Sequence, residues 1–191
     1  NKRIYRKSVG SKRRKIMEKK YELIKDENGR LRVKALKDFT LITGETIKKG
    51  NFGGFVKSED CLSHEGNCWV MNNNYYICGK VSGNAVVKDF GYVKGTASGN
   101  AIIKDHGFVG ENATVADNAV VQAWQRINYG TVTTDLLGTK DWIGALYAEL
   151  GIKPENGKVI LYKTVRDTDN PEIFRSWYKH SFIYEIGKEA V

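Results

Sequence analysis

The sequence predicts a mainly β protein built around a three-sided solenoid, preceded by β-hairpins and followed by a small α+β cap. Three observations carry that prediction. Between Gly83 and Gln122 the triplet Gly-Asn-Ala occurs twice and is followed by Glu-Asn-Ala and Asp-Asn-Ala. Bulky apolar residues recur in this stretch every six positions, with a small residue two places before the next bulky one. Before the repeat lie short alternating segments broken by glycine and asparagine, and only after it does a helical pattern occur.

The first element in chain order is a basic arm. Ten of the 31 Lys and Arg residues fall in residues 1–20, against one acid, Glu18, so the whole formal charge of +9 sits there and the rest of the chain is neutral. Residues 1–16 read as an arm without apolar periodicity. One reading is an unstructured or appended segment ahead of a natural start at Met17. A second is a nucleic-acid contact through Lys2, Arg3, Arg6, Lys7, Lys12, Arg13, Arg14 and Lys15, which would neutralise phosphates and release counterions. A third is an anionic membrane surface. Tyr5 is the single aromatic residue among them, so a base-stacking signature is weak. No apolar run is long enough to span a bilayer.

Residues 17–65 read as a hairpin region. Lys20–Phe39 alternates around Glu27-Asn28-Gly29, a turn in which Asn-Gly suits positive φ. Gly44, Gly50, Gly53 and Gly54 then punctuate short strands, and the Gly53-Gly54 pair beside Phe55 suggests close backbone approach. No Lys-Ser/Thr and no helix start follow these glycines, so a phosphate-binding P-loop is excluded. The three cysteines, Cys61, Cys68 and Cys78, are odd in number and irregular in spacing, which fits reduced thiols in an intracellular protein better than a disulfide framework. Cys61, His64 and Cys68 crowd together but lack a fourth ligand, so no metal and no cofactor is assigned.

Residues 66–125 are the repeat. Its bulky register runs Tyr75, Val81, Val87, Val93 and, after a break between Lys94 and Ala101, Ile103, Val109, Val115, Val121. The small register is Gly79, Ala85, Gly91, Ala97, Ala101, Gly107, Ala113 and Ala119. Neither helix nor plain strand alternation gives period six. A solenoid whose sides are six residues long does, with the bulky residue inside each short strand and the small one letting the chain bend near the axis. Corners at positive φ would account for Asn84, Asn100, Asn112 and Asn118. The residue before each bulky one should point outward: Lys80, Val86, Tyr92, Ile102, Phe108, Thr114 and Val120, with Ser98 or Ile102 filling the slot at the break. Val86, Tyr92, Ile102, Phe108 and Val120 are too apolar for a solvated surface and are the candidate interface. They cannot share one side, so at least two faces need a cover.

After Trp124, Asp141 and Gly151 read as N-cap and C-terminal glycine of a helix with Trp142, Leu146 and Leu150 on one face. Two strands around Val159–Val165 and Ser181–Ala190 complete a module over 136–191.

"GGFVKSEDCLSHEGNCWV" followed by Gly-Asn-Ala repeats resembles a group of phage, prophage and bacterial hexapeptide-repeat, transferase-hexapeptide-like proteins, over about Tyr21–Gln122 and again at "VILYKTV" and "FIYEIGKEA". The resemblance implies a left-handed parallel β-helix with N-terminal β-hairpins and a small C-terminal α+β cap. It also implies trimeric assembly and a cytoplasmic place in the bacterial host. Family activities give two enzymatic alternatives. An acyl-CoA-dependent acyltransferase would use a coil histidine as base, and His106 alone lies in the regular coils, at a corner that reads as equivalent to the Asn corners. A carbonic-anhydrase-like metal site needs three converging histidines, but His64, His106 and His180 lie in three separate regions. The leading expectation is a non-enzymatic scaffold or binding module, with inhibition of a host defence system by capture of a protein or nucleotide as one use.

Overall fold

In the computed structural model the described residues are 18–72, 75–136, 141–153, 155, 156, 158, 173–175 and 183–185. The arm, residues 1–16, and with it all eight basic candidates, lies outside them, as does His180. The chain divides into two units, up to Ile152 and from Lys153 onward.

The first unit begins with an antiparallel sheet. Strand β1 (Tyr21–Lys25) pairs with β2 (Leu31–Ala35), and β2 with β5 (Phe52–Val56). At the β1–β2 turn it is Gly29, at φ 75°, that takes the left-handed conformation, while Asp26 accepts from the backbone amides of Asn28 and Arg30. A short ribbon of β3 (Phe39–Thr40) and β4 (Thr46–Ile47) interrupts the path. The close approach expected at Gly53 and Gly54 is present. A Cβ at Gly53 would sit 2.5 Å from the Val70 carbonyl oxygen, and one at Gly54 2.6 Å from that of Met71.

From Trp69 the chain becomes a parallel β-solenoid of about four turns. Its strands are β6 (Trp69–Val70), β7 (Lys80–Val81), β8 (Val86–Val87), β9 (Tyr92–Val93), β10 (Thr96–Ala97), β11 (Ile102–Ile103), β12 (Phe108–Val115), β13 (Val120–Val121) and β14 (Arg126–Val132). Three stacks result. The first runs β7-β10-β12-β14, with Val81, Ala97, Val115 and Val132 inside and Lys80, Thr96, Thr114 and Thr131 outside. A second, β6-β8-β11-β13, puts Val70, Val87, Ile103 and Val121 inside. The third joins β9 to the start of β12 and of β14, with Val93, Val109 and Ile127 inside, and continues back through an Ile77–Val56 bridge. Backbone amides bond the coil above, as Val86 N to Ala101 O and Ile102 N to Ala119 O, both 2.9 Å. The interior residues from Val81 to Val121 are all buried, which is what the repeat needs, since each aliphatic side chain so removed from water contributes roughly 1.5–3 kcal/mol.

The coils are not uniform, and this corrects the expected register in four places. Ile77 to Val81 and Val93 to Ala97 are sides of four residues, where Val109 to Val115 is six. The interior residue of the first coil is therefore Ile77, fully buried, and not Tyr75, which is half exposed. Ala97 is an interior strand residue between Val81 and Val115, not a bend residue. Its outward neighbour, filling the slot at the break, is Thr96 rather than Ser98 or Ile102. The short sides turn at glycines for want of space: a Cβ on Gly95 would lie 2.2 Å from the Gly110 carbonyl oxygen and 2.3 Å from that of Ala113.

The asparagines are the fourth correction. Positive φ belongs to the residue before each, Gly83, Gly99 and Asp117. Asn84, Asn100 and Asn118 instead form a ladder along the axis, each amide nitrogen donating to the next side-chain oxygen at 3.1 Å. Asn112 lies within β12, paired with Tyr129 of β14, and belongs to no such corner.

Helix α1 (Trp142–Leu150) has the expected caps: Asp141 accepts from Gly144 N at 2.9 Å, and Gly151 adopts φ 72°. Its buried side differs from the expected one. Ala148 is buried and Leu150 is exposed. The helix packs along β14, where Gly130 leaves room for the Tyr147 ring and Asn128 Nδ2 donates to Glu149 O at 2.8 Å, so contact with a flat strand selects small residues. In the second unit, β15 (Ile173–Arg175) pairs antiparallel with β16 (Ile183–Glu185). Among the described residues no helix is long and apolar enough to cross a membrane.

Candidate binding face

The five candidate interface residues divide between two faces of the solenoid. Val86, Ile102 and Val120 are neighbours on the second stack. Val86 is fully buried, whereas Ile102 and Val120 are half-buried. The β3–β4 ribbon is fastened to this side of the coils. Lys88 Nζ meets Glu45 Oε1 at 2.7 Å, Asn67 Nδ2 donates to Thr40 O at 3.0 Å, and the Phe39 ring meets Trp69 edge-on at 5.3 Å. The Lys88 ammonium holds the Glu45 carboxyl down to about 2. This face is thus covered in part by the chain itself.

Tyr92 and Phe108 lie on the third stack and are half-buried, as Ile102 and Val120 are on the second. Their rings are 5.5 Å apart; Tyr75 extends the column at 5.9 Å from Tyr92, and the Arg126 guanidinium caps it 4.2 Å above the Phe108 ring. Burial raises the pKa of the Tyr92 hydroxyl, so it stays neutral across the physiological range.

A second aromatic column runs beside the first. Three successive coils turn their corner through a pair of left-handed residues: Asp89-Phe90, Asp105-His106 and Ala123-Trp124. Coil-to-coil bonds, His106 N to Asp89 O and Trp124 N to Asp105 O, both 3.1 Å, hold the corners in register. The second side chain of each pair therefore stacks. Phe90 to His106 is 5.0 Å at 7°, and His106 to Trp124 is 3.9 Å at 2°. His106 does take positive φ, but its neighbours in the stack are Phe90 and Trp124, not the asparagines, so the equivalence with the Asn corners is corrected. The signal was in the sequence: Lys-Asp-Phe-Gly at 88–91 returns as Lys-Asp-His-Gly at 104–107, one short coil later.

The two columns line one open groove of about 650 Å³, to which Lys94 adds a cation. Lys94 is 3.7 Å from Glu111, while Arg126 has no ion-pair partner among the described residues. Beyond Phe108 and Arg126 a shallower hollow of about 260 Å³ continues toward Asn128 and Tyr129.

The His106 ring is stacked between two aromatic faces, and its Nδ1 is buried with no hydrogen-bond partner among the described residues. The crowded Cys61, His64 and Cys68 are engaged separately. Lys20, wholly buried, donates from Nζ to Cys68 O at 2.9 Å and to Cys68 Sγ at 3.2 Å. His64 accepts the Lys20 amide at Nδ1 and meets Glu59 Oε1 through Nε2 at 3.0 Å. Cys61 Sγ faces Cys78 O. Burial lowers the pKa of Lys20 and raises that of Cys68. Among the described residues no three His, Cys, Asp or Glu side chains are placed to hold a metal ion.

No protein-family model matches the sequence, and no curated protein matches it either.

Proposed function

We propose that the protein is a non-enzymatic β-solenoid binding module whose working surface is the groove between the two aromatic columns. The observation that carries this is the pairing of the Tyr75–Tyr92–Phe108 column with the Phe90–His106–Trp124 column along one groove that the described residues leave open. A solvated surface has no use for six aligned rings. The resemblance to phage-type hexapeptide proteins adds the finer reading: a left-handed coil flanked by β-hairpins, working in the bacterial cytoplasm, with capture of a host-defence protein or nucleotide as its use. It also brings three-fold assembly. The half-buried Ile102 and Val120, beyond the ribbon-covered Val86, are the side chains a neighbouring copy would cover in a closed ring.

Two measurements test this. Incubation with acetyl-CoA and amine or hydroxyl acceptors should give no turnover, in the parent or in His106→Asn, although that substitution removes one ring from the second column. Turnover lost in His106→Asn with folding retained would replace the module by an acyltransferase. Light scattering should give three copies, and a monomer at high concentration would remove the ring from the account.

A further inference from the structure

The chemistry of the groove specifies its ligand more closely, on the premise that it is a binding surface. Its lining is rings plus the two cations Lys94 and Arg126, and among the described residues it contains no carboxylate. The nearest acid along its continuation, Glu111, is already engaged by Lys94. The outermost ring, Trp124, is 70% exposed on a coil that ends the ladder, so one face of the indole has no ring above it among the described residues. Trp124 and Arg126 are two residues apart, one at the corner and one at the first position of β14. A ligand resting on the indole therefore has the guanidinium within its own length.

A second copy is a poor match for the same groove. A two-fold copy would bring the same cations, Arg126 and Lys94, into the shared interface and, among the described lining residues, no carboxylate. A ring would set them against another face, and the outward strand positions of the other two faces are Lys80, Thr96, Thr114 and Thr131, or Trp69, Val86, Ile102 and Val120. Neither set contains an acid. What complements stacked rings with flanking cations is a flat, π-rich group attached to an anion.

We propose that this groove binds a nucleobase carrying a phosphate, the base stacking on the aromatic columns and the phosphate on Arg126, with Lys94 released from Glu111 to assist. The ligand can be a free nucleotide or a unit of a single strand. Both present the same chemistry, and the coil-spaced rungs offer a strand successive stacking positions.

The test is equilibrium titration of the full chain, followed by tryptophan fluorescence and calorimetry, with UMP, AMP and a short oligo(dT). Uridine and inorganic phosphate serve as controls. The nucleotides should bind more tightly than either control alone. An oligonucleotide preferred over the mononucleotides assigns the strand form, and the reverse assigns the free nucleotide. Trp124→Asn keeps a residue tolerant of left-handed φ at the corner and should weaken binding about tenfold. Arg126→Gln should weaken the phosphate-bearing ligands and leave uridine unchanged. For the oligonucleotide it should also lower the dependence of log affinity on log salt by about one unit. A truncation lacking residues 1–16 should bind as the parent does, since the described residues that line the groove all lie between Tyr75 and Arg126.

No saturable binding of any nucleotide or oligonucleotide overturns the inference, as does binding that disappears only with the arm. So does conversion of an oligomer to monomer by Trp124→Asn, which would assign the groove to a second copy. Failure to bind nucleotides leaves the non-enzymatic module standing, since its groove can take another partner, whereas acetyl-CoA turnover that depends on His106 removes that reading itself.

Discussion

Val109→Asp is the sharpest perturbation of the solenoid. Val109 has no exposed surface and lies between Val93 and Ile127 in the third interior column. Removing its side chain from the core forfeits roughly 1.5–3 kcal/mol of burial. The carboxyl has no donor nearby, because the backbone groups around it are used between coils: Lys94 N already donates to Val109 O at 2.8 Å. Such a group stays protonated, with its pKa raised by up to ~3–5 units, and holding it neutral at pH ~7 against an unfolded pKa of ~3.9 costs about 4 kcal/mol. The total, about 5.5–7 kcal/mol, is comparable to the ~5–15 kcal/mol by which a domain is stable at all. The variant should be unfolded or molten at 25 °C by near-UV circular dichroism. Thr114→Asp, an outward position on the same strand, should melt within a few degrees of the parent. Urea titrations of both variants measure the contrast. A Val109→Asp protein with the parent's midpoint would mean that the interior register is wrong.

Asn100→Ala removes two rungs of the amide ladder, those to Asn84 and Asn118, and should cost about 1–2 kcal/mol in a urea titration. The Glu45–Lys88 pair makes the ribbon acid-sensitive. Glu45 is depressed from 4.5 to about 2, so its contribution is present above pH ~4.5 and is lost as pH falls toward 2. Because Glu45 is 39% exposed the contribution is about 1 kcal/mol, and Glu45→Gln should flatten that limb of the stability–pH curve.

The interior columns were legible because a buried position tolerates only apolar residues, so Val81, Val87, Val93, Ile103, Val109, Val115 and Val121 mark their own period. Side length was not legible, because the chain can close a side in four residues when glycine permits coils to touch, as at Gly79 and Gly95. That is why Tyr75 read as interior when Ile77 is. It is also why the outward residues could be identified one by one but not sorted into faces. Asn84, Asn100 and Asn118 were visible as a repeated residue, yet the same signal fits a left-handed corner and a side-chain ladder, and only the coil-to-coil register separates them. The first aromatic column was half found through Tyr92 and Phe108. Its companion is hidden because His106 reads as one of the Asn corners, whereas its stacking partners sit one coil away, at Phe90 and Trp124.

The central claim is that β12 displays two faces and that only the one bearing Phe108 is the binding surface. The direct measurement is fluorescence anisotropy of a labelled oligo(dT) against the parent, Phe108→Glu and Thr114→Glu, each first shown to be folded. Both substitutions add the same charge to one strand, at outward positions six residues apart. The account predicts parental affinity for Thr114→Glu and a loss of at least about tenfold for Phe108→Glu, which combines the lost stacking with a carboxylate beside Arg126. Equal affinity for the two variants would contradict it.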